Sequence, residues 1–324
     1  VTEIPVFTPV FLLTGFLGSG KTSLLGRLLR DPALADTAVL INEYGEIGLD
    51  HHLLERIDET VVLLRSGCVC CTIRGELSGA IGALHSRRAR GEVPPFSRLV
   101  IESTGLADPL PVMTTVAADP VLKHHFRMSA VVTTVDAVNG GNQLASQPES
   151  VLQVAVADRI VLTKTDIAAP STRQPLIEVL KAINPDAPLI SSADAFDAQD
   201  LLNERSLPDA VIRARSPNGA QGHAADVSSL ALILDRQIDW SLFGLWLTML
   251  LHRHGDRILR VKCLLNVEGS EGPVAVHGVQ QLVHVPTHLS RWPDHDRRSR
   301  LVFITRGLDP SLIERSMRAF NLLG

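Results

Sequence analysis

The chain has 324 residues, with 45% hydrophobic and 20% charged side chains, Gly 23 and Pro 19. That length suits two domains or one large one, and that composition excludes collagen-like, disordered and low-complexity chains. Lys and Arg number 31 against 35 Asp and Glu, a net charge of -4, with no long basic run, so a nucleic-acid partner is not expected. The longest apolar stretch, Trp240 to Leu251, is interrupted by Ser241, Gly244 and Thr248 and is shorter than the roughly 20 residues a membrane span needs, so no membrane partner is expected either. Val1 to Pro9 carries Glu3 and Pro5 and no basic n-region, which makes the cytoplasm the expected location.

From Pro9 to about Leu207, short β-branched runs alternate with helical stretches, the pattern of an α/β domain whose mostly parallel sheet is covered on both faces. The strands expected are Val10–Thr14, Ala38–Asn42, Val61–Leu64, Leu99–Glu102, Ala130–Val135, Ile160–Thr163 and Leu189–Ser191. Ligands of such sheets sit beyond the carboxyl ends of the strands, where several of these runs turn polar or reach Gly. Residues 208–227 lose periodicity and gather Pro, Gly, Asn and Ser, and read as a linker between a domain at 1–207 and one at 228–324. The second domain reads as a smaller α+β unit. Its strands are expected at Leu230–Leu234, Ile258–Asn266, Val274–His284 and Leu301–Thr305, with helices around Trp240–His252 and Asp309–Phe320.

The strongest chemical signal is Gly15-Phe-Leu-Gly18-Ser19-Gly20-Lys21-Thr22, a G-x-x-x-x-G-K-[ST] run between the strand at Val10–Thr14 and a helix striped by Leu24, Leu25, Leu28 and Leu29. In a P-loop NTPase the glycines let backbone N–H groups converge on phosphate oxygens. Lys21 then reaches the β/γ-phosphates, and Thr22 ligates Mg²⁺. Ser23 follows in the same nucleotide-binding turn. The strand Arg98–Glu102 ends in a carboxylate that could hold Mg²⁺, directly or through water, or orient the attacking water, and Gly105 could offer its N–H to the γ-phosphate. A third strand runs into Thr163-Lys164-Thr165-Asp166. A carboxylate at Asp166 accepts both N1–H and the N2 amine of guanine, a donor pair that adenine lacks, so it selects GTP over ATP while the Lys164 stem covers the base plane. Thr163 stands where guanine-binding loops more often carry Asn.

Three of the four cysteines crowd into Cys68, Cys70 and Cys71, too close for a disulfide framework. Such thiolates suit Zn²⁺ or Co²⁺, and a buried or redox-active cysteine group is the alternative. Cys263, His51-His52, His124-His125 and His252/His254 read as packing, surface or helix-end residues.

Taken together, Gly15–Thr22, Asn42–Asp50, Gly67-Cys-Val-Cys-Cys71, Glu102-Ser-Thr-Gly-Leu-Ala-Asp-Pro109 and Thr163–Asp166 resemble the CobW family of P-loop GTPases, and Arg260-Val-Lys262 with Val276–Gln280 is similar to that family's C-terminal domain. The resemblance implies a GTP-hydrolysing metallochaperone that passes a transition metal to a client metalloprotein or a metal-inserting enzyme. By it, Lys21, Thr22 and Glu102 are catalytic, with Thr22 and Glu102 at Mg²⁺. Gly15, Gly18, Ser19, Gly20, Ser23, Gly105, Thr163, Lys164 and Asp166 bind GTP or GDP, and Cys68, Cys70 and Cys71 hold Zn²⁺ or Co²⁺. Intrinsic hydrolysis is expected to be slow, since no arginine finger is recognisable in the sequence. A homodimer is the assembly that related nucleotide switches suggest. A metal sensor or buffer with incidental hydrolysis, and a P-loop small-molecule kinase with structural cysteines, are the competing functions.

Overall fold

The structure is a computed structural model that describes residues 7–44, 61–66, 72–194, 196–202 and 226–323. The chain divides into two compact units, one of Val1–Gln143, Ala157–Arg173 and Pro188–Glu204, the other of Leu144–Val156, Gln174–Ala187 and Arg205–Gly324.

The first unit is built on seven strands: β1 (Thr8–Gly15), β2 (Thr37–Tyr44), β3 (Val61–Ser66), β4 (Arg98–Glu102), β5 (Phe126–Asp136), β6 (Arg159–Thr163) and β7 (Leu189–Ser191). They lie in the order β3-β2-β4-β1-β5-β6-β7, and every pairing is parallel. Each strand expected from its apolar run is present. Val10 to Leu13 are buried without alternation, as a parallel strand covered on both faces requires. Helix α1 (Lys21–Leu28) lays Leu24, Leu25 and Leu28 against Phe11, Leu13, Val39, Val100 and Val132. Helices α2 (Thr72–Ala89) and α3 (Leu110–Ala118) follow β3 and β4. Because the strands are parallel, the loops after β1, β4, β5, β6 and β7 emerge at one edge of the sheet, and all the candidate nucleotide residues lie there.

The second unit holds an antiparallel sheet of β8 (Val227–Leu234), β9 (Ile258–Leu265), β10 (Val274–Val279), β11 (Leu282–Val283), β12 (Thr287–His288) and β13 (Ser299–Arg306). The main path is β11-β10-β9-β13-β8, with β12 beside β10. The single strand expected over Val274–His284 is instead a hairpin. It reverses at Gln280, which takes a φ of 53°, and closes on the Val279–Leu282 pair. The helix Trp240–His254 buries Phe243, Trp246, Leu247, Leu250 and Leu251 against the sheet and turns Trp240 and Leu245 outward.

β9 is buried on both faces. Val261 and Cys263 enter the apolar core, where burial pushes the Cys263 thiol pKa far up, so this cysteine is a packed, protonated side chain. On the opposite face Arg260 donates to the Val156 carbonyl, and Lys262 Nζ lies 2.6 Å from Asp186 Oδ2. These contacts attach the stretches Leu144–Val156 and Gln174–Ala187 to the second sheet. Among the described residues no helix is long and apolar enough to cross a membrane.

Candidate nucleotide site

β1 passes into α1 through a loop whose three glycines all take positive φ: 142° at Gly15, 71° at Gly18 and 86° at Gly20. At Gly15 the conformation is compounded by close packing, since a Cβ would fall 2.3 Å from Thr134 Oγ1 and 2.4 Å from the Thr134 carbonyl. Hydroxyls hold the loop from beneath. Ser19 Oγ and Thr134 Oγ1 are 2.6 Å apart, and Thr163 Oγ1 donates to the Ser19 carbonyl over 2.8 Å. Lys21 is buried, and its Nζ donates to the carbonyls of Gly15 (2.9 Å) and Phe16 (3.2 Å), which folds the ammonium back over the loop. A lysine there, at the N-terminus of a helix, places positive potential where phosphate oxygens bind.

Thr22 Oγ1 donates to Glu102 Oε1 at 2.9 Å, and Glu102 is only 4% exposed. The pair puts a hydroxyl and a carboxylate oxygen at one point beside the loop. Hard oxygen donors of this kind fit Mg²⁺, which prefers one or two protein oxygens and completes its octahedron with water and phosphate. Beyond β4 the chain runs close against the phosphate loop: a Cβ on Gly105 would sit 2.6 Å from Leu17 N and 2.8 Å from Leu17 Cα. Ser103 Oγ donates to Thr14 Oγ1 and Ser103 N to the Leu13 carbonyl, fixing that approach. Ser23 is exposed on the first turn of α1.

At the end of β6, Lys164 takes a left-handed φ of 57°, and its Nζ lies 2.7 Å from Asp136 Oδ2 at the end of β5. Asp136 is almost wholly buried and also accepts from the backbone N–H groups of Val138 and Asn139 and from Asn139 Nδ2. Burial alone would raise its pKa. The hydrogen bonds from Lys164, Asn139 and the backbone outweigh it and hold the carboxyl below the ordinary aspartate range. Thr165 Oγ1 meets Ser191 Oγ at 2.9 Å, so the turn after β7 lies beside the turn after β6, and Asp166, the next residue, is exposed. Asp136 and the Ser191 turn were not among the residues singled out from the sequence; their only signal was a polar residue at the end of a strand.

Cys68, Cys70 and Cys71 lie outside the described residues, as do His51, His52 and residues 45–50 of the Asn42–Asp50 segment. Among the described residues there is no group of three or more His, Cys, Asp or Glu able to hold a metal ion.

The described residues therefore bring the glycine loop, the Thr22–Glu102 pair and the Thr163–Asp166 turn to one sheet edge. The family description CobW/HypB/UreG, nucleotide-binding domain, matches residues 9–191, and that of the cobalamin synthesis protein cobW C-terminal domain matches residues 227–321. The chain belongs to the CobW/HypB/UreG family. Within this family it is 34% identical over 302 residues to the zinc chaperone YjiA of Escherichia coli, which spans 91% of this chain and 93% of that protein. It is also 34% identical over 191 residues to zinc-regulated GTPase metalloprotein activator 1 of Schizosaccharomyces pombe, spanning 57% of this chain and 45% of that one. The crystal structure of the Zn(II)-bound YjiA GTPase from E. coli superimposes with a TM-score of 0.72 at 30% identity, covering 97% of this chain and 99% of that one. The family and the fold are thus those the sequence resemblance implied.

Proposed function

We propose that this protein is a GTPase metallochaperone that binds Zn²⁺ in its GTP state and releases it to a client metalloprotein or a metal-inserting enzyme on hydrolysis, with Co²⁺ as the second candidate cargo. The observation that carries the reading is the Thr163 Oγ1 to Ser19 carbonyl hydrogen bond of 2.8 Å, because it ties the base segment to the phosphate loop and makes them one site for one nucleotide. Relatives described as a zinc chaperone and as a zinc-regulated GTPase supply the choice of cargo.

In this reading Gly15, Gly18, Ser19, Gly20 and Ser23 wrap the phosphates. Lys21 exchanges its two loop carbonyls for phosphate oxygens, a stronger pairing for an ammonium. Thr22 and Glu102 hold Mg²⁺, which supplies positive charge to the β/γ-phosphate oxygens when bound. The Gly105 N–H, held beside Leu17, reports the γ-phosphate, and Glu102 orients water for in-line attack. Asp166 accepts from guanine N1–H and the N2 amine, while Asp136 keeps the Lys164 stem in place to cover the base. The segment holding Cys68, Cys70 and Cys71 joins β3 to α2, and a γ-phosphate that orders the neighbouring loops would order these thiolates for the metal. Turnover without a client is slow.

The test is a Zn²⁺ and Co²⁺ titration of the reduced protein with Mg²⁺ and a non-hydrolysable GTP analogue, with Mg-GDP, and without nucleotide. Tighter metal binding in the GTP state, lost in Cys70→Ser, is expected. By linkage the metal then tightens GTP by the same factor. Identical metal affinity in all three states would refute the switch and leave a metal buffer, and absent metal binding would leave a P-loop hydrolase or kinase.

A further inference from the structure

Helix α1 opens at the phosphate loop, and its last turn carries a guanidinium that reaches the turn after β7. Arg27 NH1 donates to the Ser192 carbonyl over 2.6 Å and NH2 to the Asp194 carbonyl over 3.4 Å, while its Cζ lies 4.2 Å from the centre of the Phe196 ring. The same turn is joined on its other side to the base segment. Ser191 Oγ meets Thr165 Oγ1 at 2.9 Å, and Ser192 N donates to the Leu162 carbonyl over 2.8 Å. Residues Ser191 to Asp194 are therefore gripped between α1 and the strand that delivers Asp166.

We propose that Arg27 is a positioning residue for base recognition: it holds the Ser191–Asp194 turn against Thr165, and so fixes the Asp166 carboxylate for bidentate contact with guanine. The inference rests on the guanine-binding role given to Asp166 above. Three features favour it over a surface decoration. NH1 and NH2 engage separate carbonyls while the guanidinium lies over a ring face, a planar arrangement that a lysine ammonium does not reproduce. Two of the three partners lie in that turn, and the third, Phe196, comes two residues after it. That turn ends the strand next to β6, while Arg27 is covalently part of the helix whose first residues form the phosphate loop. The phosphate loop and the Ser191–Asp194 turn are thus linked through the six helical steps from Lys21 to Arg27, a rise of about 9 Å.

The guanidinium is itself exposed, so its contacts contribute little to folding, and a loss of selectivity can be read apart from a loss of structure. The experiment measures Mg²⁺-dependent binding of GTP, ITP and ATP to the full chain and to Arg27→Ala and Arg27→Lys, with thermal unfolding of each as a check on folding. ITP keeps N1–H and lacks the N2 amine, so it reports whether the carboxylate is set for both donors. Arg27→Ala is expected to weaken GTP about tenfold, the size of one charge-assisted hydrogen bond. ATP should change by less than about twofold, and ITP, which keeps one of the two donors, by less than GTP. The GTP-to-ITP ratio should collapse likewise in Arg27→Lys, which keeps the charge without the fork. An equal loss for all three nucleotides in both variants would make Arg27 a scaffold residue only and overturn the proposal, as would an unchanged ratio. A wild-type chain that binds GTP and ATP alike would instead overturn the guanine reading on which the proposal stands.

Discussion

Thr22 Oγ1 and Glu102 Oε1, eighty residues apart in sequence, meet at 2.9 Å where the first turn of α1 faces the end of β4. A carboxylate this buried is retained only with partners that offset its lost hydration. Glu102→Gln keeps the shape and an accepting oxygen for Thr22 while removing the charge. Hydrolysis is expected to fall about 100-fold, the size of losing one group that positions the transition state, with GTP affinity kept within a few-fold. Phosphate release and a nucleotide titration on the same preparation check this; unchanged hydrolysis would remove Glu102 from the reaction.

Two glycines of the phosphate loop separate backbone strain from crowding. Gly18 has a φ of 71° and nothing within 4 Å of a notional Cβ, so Gly18→Ala meets only the left-handed penalty, about 1–2 kcal/mol. Gly15→Ala meets that penalty and a Cβ within 2.4 Å of the Thr134 backbone, so β1 and β5 must move apart at their ends. It is expected to lose about 1–3 kcal/mol more and to abolish nucleotide binding. Urea unfolding of both variants decides it, and equal stability of the two would show that the loop yields freely at Gly15.

The regular parts of this fold were legible because the central strands of the first unit are apolar runs buried on both faces, as Val10 to Leu13 and Ile160 to Leu162 show. The phosphate loop was legible because it is contiguous and demands glycine at fixed positions. Three features were not. The Gln280-Gln281 reversal carries neither Gly, Asn nor Asp, and its positive φ falls on a residue with no turn preference. Asp136 reads like any solvated carboxylate at a strand end until β5 and β6 are paired, with Asp136 opposite Thr163. Arg27 and Ser192 are 165 residues apart, and only the sheet order brings α1 to the turn after β7.

Asp136 also gives a pH dependence. Its folded pKa is lowered, so the unfolded chain binds the proton more readily. The stability it contributes is present above the unfolded aspartate pKa, near 3.9, and is lost as pH falls through the lower folded value. Asp136→Ala leaves Lys164 and the Val138 and Asn139 donors without this acceptor and is expected to cost about 1–3 kcal/mol at pH 7. It should also weaken GTP more than inorganic triphosphate, because the disturbed residue is Lys164 and the phosphate loop is untouched. Equal weakening of both ligands would disconnect Asp136 from the base.

His85 acts in the same sense and at higher pH. Burial first, then repulsion from His125 and Arg88, lower its pKa, and Arg88 NH2 at 3.2 Å can only donate, so His85 Nδ1 accepts and the ring is neutral. The unfolded chain takes up the proton near pH 6.5, before the folded one does. Stability is therefore complete above that pH and declines as pH falls toward the folded pKa. Unfolding free energies between about pH 5 and 8 should slope in this way for the native chain and lose that component in His85→Gln. A slope untouched by the substitution would assign it to other groups.

Lys262 and Asp186 form an ion pair of 2.6 Å whose side chains are each 6% exposed, on the face of β9 away from the apolar core. At such depth the attraction between the charges is largely cancelled by the hydration both have lost, so the pair as a whole adds little net stability, while either charge alone is a liability. Lys262→Met should therefore cost about 3–5 kcal/mol by stranding the Asp186 carboxylate, and Asp186→Leu should also destabilise by removing the carboxylate that faces the buried ammonium. The double substitution replaces two charges with two apolar chains of comparable length, and most of the loss should return. Urea unfolding of the two single variants and the double one closes the cycle, and the coupling between the sites should be large and favourable. If the double variant were instead as unstable as the sum of the two, the pair would be independent of one another, and the attachment of the Gln174–Ala187 stretch to β9 would have to rest on the packing around it.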